Sequence, residues 1–128
     1  MNILLDTHAF LWFVADDPRL SDPARVIIEA DDTQPFLSVA SLWEIAIKIS
    51  LGKLELNQPY ETFIPQQIAL NGIGILNLSL EHTAAIATLP FHHRDPFDRM
   101  LIVQSKIEAM PLISVDPMFD LYKINRVW

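Results

Sequence analysis

Short unbroken runs of Val, Ile and Leu alternate along this chain with longer stretches of helical periodicity, and the alternation leaves few folds open to it. Asn2 to Leu5 is the first such run; Pro35 to Ser38, Ile73 to Leu78 and Leu112 to Val115 follow, and Ile124 to Trp128 reads as a last, edge strand. Apolar runs of this length belong to strands buried on both faces. Between them, His8 to Val14 predicts a helix with Phe10, Leu11 and Val14 on one side. A second helix starts from an N-cap at Ser21, with Pro23 in its first turn, and runs to about Ala30. Ser41 to Leu51 carries the strongest helical pattern, through Leu42, Ile45 and Ile49, and Gly52 falls where a C′ glycine belongs. Pro59 to Leu70, a segment capped by Ser79 and ended by Pro90, Asp98 to Ala109, and a helical turn from Pro117 to Tyr122 complete the set. The order predicts an α/β fold: a three-layer sandwich whose mostly parallel sheet, of about five strands, is covered on both faces. With 128 residues and no repeat or linker, residues 1–128 read as a single domain.

Composition excludes several chemistries. There is no cysteine, so disulfides, thiolate zinc sites, iron–sulfur clusters and cysteine nucleophiles are ruled out together, which suits a reducing cytoplasm. Nothing approaches the ~20 apolar residues of a membrane span, and Ile3-Leu4-Leu5 lacks the basic flank of a secretory leader, so no membrane partner is expected. Nine basic and sixteen acidic residues give a net charge of −7. An ordinary phosphate-binding surface is basic, so the carboxylates suit a nucleic-acid enzyme only if some of them gather around cations. No G-x-x-x-x-G-K-[ST] or G-x-G-x-x-G is present to cradle a nucleotide.

Ligands of an open parallel sheet sit beyond the carboxyl ends of its strands. Asp6 directly follows the first strand and Asp116 the fourth. Asp95 and Asp98 open the helix leading to that fourth strand, and Glu44 lies early in the helix after the second. Each has a local explanation: Asp6, Asp95 and Asp98 as helix-start residues, Asp116-Pro117 as a turn, and Ser41-Leu42-Trp43-Glu44 as a capping box. Five such caps at one end of a sheet would be a coincidence. A hard-oxygen cluster there would hold Mg²⁺ or Mn²⁺, and without a cation its members would raise one another's pKa.

Three segments carry a resemblance. Asn2-Ile3-Leu4-Leu5-Asp6-Thr7-His8, Ser38-Val39-Ala40-Ser41-Leu42-Trp43-Glu44-Ile45-Ala46-Ile47-Lys48, and His93-Arg94-Asp95-Pro96-Phe97-Asp98-Arg99-Met100-Leu101 followed by Leu112-Ile113-Ser114-Val115-Asp116 resemble PIN-domain ribonucleases, and among them the VapC-type toxins of type II toxin–antitoxin pairs. The resemblance spans the chain in order and spacing. It implies a Mg²⁺- or Mn²⁺-dependent endoribonuclease that cuts RNA, is commonly a homodimer and is inhibited by a cognate antitoxin. It carries Asp6, Glu44, Asp98 and Asp116 over as the catalytic acidic quartet and metal ligands, with Asp95 as an added carboxylate of the D-P-F-D-R subgroup. Ser114 and Val115 depart from the Thr or Ser and basic residue that many relatives carry before the last aspartate.

Other residues stay open between two roles. Thr7 is a phosphate or carboxylate partner, or a local cap. His92 and His93 are zinc ligands or a loop pair beside the acidic site, although zinc needs three or four convergent ligands. Arg94 and Arg99 touch phosphate or pair with nearby acids, and Lys48 and Lys53 offer weak RNA contacts. Trp12, Trp43 and Phe10 are core, or a partner surface, and Tyr60 to Leu70 is a possible clamp for a partner helix. The rival to a nuclease is a non-catalytic PIN-like or receiver-like acidic binding module. A receiver needs a phospho-accepting Asp on its central strand, where this chain has Ser38 or Asn77.

Overall fold

The computed structural model describes residues 1–128. Its strands are β1 (Asn2–Leu5), β2 (Gln34–Ser38), β3 (Gly74–Leu76), β4 (Leu112–Ile113) and β5 (Arg126–Val127). Its helices are α1 (Thr7–Val14), α2 (Asp22–Glu29), α3 (Val39–Ser50), α4 (Tyr60–Leu70), α5 (Leu80–Ile86) and α6 (Pro96–Glu108), with a 3₁₀ turn over Pro117–Tyr122. The strands form one sheet in the order β3-β2-β1-β4-β5, and every neighbouring pair is parallel. The expected α/β sandwich with five parallel strands is thus the observed one. No helix is long and apolar enough to cross a membrane.

Alternation along the strands makes the three layers. Ile3 and Leu5 of β1, Leu37 of β2 and Ile113 of β4 join Phe10, Ala24, Ile28, Ile45 and Ile64 in one core, under α1 to α4. Leu4 and Leu112 point the other way, into a second core with Leu101, Ile102, Val103, Phe119 and Tyr122 from α6 and the 3₁₀ turn. Strands buried on both faces have no polar side to show, which is why they read as unbroken apolar runs.

Most boundaries shift by one or two residues from the sequence reading, β4 and β5 being shorter than expected, and three shifts bear on the site. α3 begins at Val39 with Ser38 as its N-cap, accepting from the Ala40 amide at 3.0 Å, so the helix starts two residues before Ser41. α6 begins at Pro96 behind the cap Asp95 instead of at Asp98. β3 is confined to Gly74–Leu76, the part of the longer apolar stretch that pairs with β2. Gly52 follows α3 in the left-handed region, at φ +71°, as a C′ glycine should.

The chain runs from β1 outward through β2 to β3, then returns to β4 on the other side of β1. The connections after β1 and β4 therefore part at their shared carboxyl ends, the crevice where ligands of such sheets bind. Leu5 is level with Ile113, and the Asp6 amide donates to the Ile113 carbonyl at 3.1 Å, which holds the two ends together.

Candidate active site

Asp6 leaves β1 into α1 and Asp116 leaves β4 into the 3₁₀ turn, each as an N-cap. Asp6 Oδ1 accepts from the Ala9 amide at 2.7 Å, and Asp116 Oδ1 accepts from the Met118 amide at 2.9 Å. Capping and site-building are not alternatives here, because a carboxylate has two oxygens. Asp116 Oδ2 turns instead to His93, whose Nε2 lies 3.2 Å away and also 3.1 Å from Asp98 Oδ2. One ligand atom from each of His93, Asp98 and Asp116 lies within 4.8 Å of the others. Ser114, fully buried, accepts from the Asp116 amide at 3.1 Å through its hydroxyl, which also acts to lower the pKa of the Asp6 carboxyl.

Glu44 is buried on α3 but not as half of a capping box. Thr7 Oγ1 donates to Glu44 Oε1 at 2.7 Å and contacts Ser41 Oγ at 2.9 Å, and Lys48 Nζ pairs with Glu44 Oε2 at 2.8 Å. Ser41 thus serves Thr7 of the neighbouring helix, and Thr7 is a carboxylate partner, not a local cap. Lys48 is committed to Glu44. Asp95 spends Oδ1 on two amides of α6, Phe97 at 2.8 Å and Asp98 at 3.1 Å.

The electrostatics show these groups acting on one another. Burial, and then the negative charges of Asp95, Glu44, Asp6 and Asp116, push the Asp98 carboxyl up to about 8. Burial also raises Asp6, against the hydrogen bond from Ser114. Every charge invoked by the sequence reading therefore reaches Asp98. Among them only Glu44 has a Lys or Arg ion-pair partner. Such a site has acceptor oxygens to offer and negative charge it has not neutralised, the condition a hard divalent cation relieves.

His93 is the residue that sequence reasoning left among loop alternatives. Its Nδ1 accepts the Asp95 amide at 3.2 Å, which places the proton of the neutral ring on Nε2, toward Asp98 and Asp116. Its ring stacks on Phe119 at 5.6 Å, and the Tyr122 hydroxyl accepts from the His92 and His93 amides at 2.8 and 2.7 Å. The only signal in the sequence was its place just before Asp95. His92 is turned away against Tyr122 and brings no zinc-type set together with its neighbour. Arg99 pairs with no acid: it is buried, and its guanidinium donates to the carbonyls of Leu89, Pro90 and His93.

A parallel α/β sheet with acids gathered at its switch point defines a class, and the family comparison agrees. The PIN domain model matches residues 3–125, and the chain belongs to the PIN-domain family. Over 71 residues it is 37% identical to ribonuclease VapC16 of Mycobacterium tuberculosis (strain ATCC 25618 / H37Rv), covering 52% of this chain and 50% of that protein. The match thus spans about half the length of that curated relative. VapBC2 from Rickettsia felis, solved bound to a DNA fragment from their promoter, is similar with a TM-score of 0.72 at 14% identity, covering 99% of this chain and 98% of that one. A toxin–antitoxin complex from Klebsiella pneumoniae gives 0.66 at 17% identity, over 98% and 96% of the two chains. At such identities the likeness is one of fold.

Proposed function

We propose that this chain is a metal-dependent endoribonuclease that hydrolyses RNA phosphodiester bonds, working as the toxin of a toxin–antitoxin pair in the cytoplasm. The observation that carries the reading is the meeting of Asp98 and Asp116 with the charges of Asp6 and Glu44 at the β1/β4 switch point, where none of the three aspartates forms a salt bridge with Lys or Arg. The name of VapC16 and the toxin–antitoxin complex from Klebsiella pneumoniae support the ribonuclease and antitoxin assignments. The whole chain acts as one domain, and as a homodimer.

Asp6, Asp98 and Asp116 would hold Mg²⁺ or Mn²⁺, since all offer hard oxygen donors. The ion supplies positive charge against the scissile phosphate and Lewis acidity toward water. Thr7 and Lys48 fix both oxygens of Glu44, so that its carboxylate meets the substrate side in one orientation. Ser114 holds the backbone at Asp116 by accepting from its amide. Asp95 adds charge toward Asp98 while its cap holds the start of α6 in place. Preorganised charge of this kind is where most of the rate enhancement in phosphoryl chemistry arises.

The test is RNA cleavage by the purified protein in Mg²⁺, Mn²⁺ or EDTA, beside Asp6→Asn and Asp98→Asn shown to be folded by circular dichroism. Cleavage should need the cation and fall about a hundredfold or more in each variant. Calorimetry should show Mn²⁺ binding lost in Asp98→Asn. Cutting that survives either substitution, or no cutting of any RNA, removes the catalytic assignment and leaves a binding module.

A further inference from the structure

Trp43 is 60% exposed, although Trp12 and Trp128 are half-buried against each other with ring centroids 5.9 Å apart. It stands edge-to-face with Phe97, centroids 5.3 Å apart and planes at 83°. Both rings line a cleft of about 400 Å³, together with Leu78, Phe91 and Arg94. Phe91 is 80% exposed, with the Arg99 guanidinium 3.9 Å above its ring. The placement is specific: Trp43 directly precedes Glu44 on α3, and Phe97 directly precedes Asp98 on α6. The aromatic wall is tied to the acidic site by a single residue from each side.

The distribution of cations says what such a wall is for. Arg19, Arg25, Lys48 and Arg126 are in ion pairs, and Arg99 is spent on carbonyls. Of the others, Lys106 and Lys123 lie together at the opposite end of the sheet, and Lys53 follows α3. Beside the acids, Arg94 alone has neither an ion pair nor a carbonyl partner, while Arg99 is buried and Arg126 is paired with Asp120. A chain of net charge −7 therefore has almost no means of holding RNA by its phosphates there. Stacking on an aromatic face needs no phosphate neutralisation, because every base has a π-face.

We infer that Trp43, backed by Phe97, is a stacking platform for one unpaired base of single-stranded RNA next to the scissile phosphate, with Arg94 at its rim. The inference rests on the nuclease reading and names how that site holds its substrate. A base, flat and apolar on its faces but polar at its edge, matches an apolar cleft bordered by two guanidiniums, those of Arg94 and Arg99.

The experiment measures binding of a short labelled single-stranded RNA by fluorescence anisotropy in the Asp98→Asn background, so that the RNA stays intact. A set of the same RNAs with one abasic position moved along the strand is compared on the Trp43, Trp43→Phe and Trp43→Ala forms. One abasic position should weaken binding about tenfold on the Trp43 form. Trp43→Ala should weaken intact RNA by a similar factor and show no further loss at that position, while Trp43→Phe keeps most of the affinity. Equal abasic penalties on the Trp43 and Trp43→Ala forms overturn the platform, as does unchanged affinity in Trp43→Ala. So does a change confined to sedimentation, which would make this face a contact between copies of the chain. Cleavage by the unsubstituted protein in Mn²⁺ is read separately. If it cuts but the base coupling is missing, only the platform fails; if the coupling is present and nothing is cut, only the nuclease reading fails.

Discussion

Asp98 concentrates the cost of building the site. A carboxyl raised to about 8 in the fold from an ordinary value of 3.8 binds a proton more readily when folded than unfolded. The folded state is therefore favoured most below about pH 4, and this contribution is lost as pH rises through about 8. Asp98→Asn removes the group that must ionise and keeps an acceptor for His93 Nε2. The metal-free variant should melt several degrees above the parent protein at pH 8, since ~1 kcal/mol moves Tm by about 3–6 °C at this length. The difference should shrink toward pH 5. Mn²⁺ should raise the melting temperature of the parent protein and leave that of the variant unchanged. Scanning calorimetry across pH reads all three, and an Asp98→Asn protein less stable than its parent at pH 8 would mean the carboxylate is compensated in the fold. The placement of these carboxylates was legible in the sequence because strand ends and helix starts bring them to one end of the sheet. His93 was not, because its role depends on a ring held by Phe119, Tyr122 and the Asp95 amide, contacts that only the folded loop makes.

At the level of elements, every helix and strand expected from the sequence is present, and the differences lie at their ends. The α3 boundary shows why. Ser38 and Ser41 are both good caps, and Glu44 stands three residues after Ser41, so local rules favour Ser41. Tertiary contacts decide otherwise: Thr7 engages the Ser41 and Glu44 side chains, Lys48 takes the other Glu44 oxygen, and Ser38 is left to cap. The same argument orders two substitutions. Ser38→Ala removes the cap and should cost ~1 kcal/mol in urea unfolding. Ser41→Ala leaves the helix start intact and lets Thr7 keep Glu44, so its cost should be smaller. The reverse ranking would restore the capping box. β3 was over-read for a related reason: Ile73 to Leu78 is apolar throughout, and only pairing with β2 marks where the strand stops.

For the whole molecule, the acidic balance that argued against nucleic acid becomes a constraint on how nucleic acid is held. The carboxylates are not spread evenly, since several meet at one edge of the sheet, and a bound cation would offset their local charge. What remains beside the site is an aromatic wall with Arg94 at its rim and the buried Arg99 behind it. Affinity for single-stranded RNA should then depend weakly on salt. Counterion release gives a slope of log K against log salt of about −0.7 per neutralised phosphate. For one phosphate, raising NaCl from about 50 to about 200 mM should weaken binding only about threefold. Anisotropy titrations of the Asp98→Asn protein at several salt concentrations, with divalent cation held constant, measure that slope. A value steeper than about −2 would require at least three phosphate contacts, which a single chain with Arg94 alone at the site does not supply. They would have to come from the partner copy's cations reaching the groove, and the slope would then fall back toward −0.7 as the protein is diluted below the dissociation constant of the dimer.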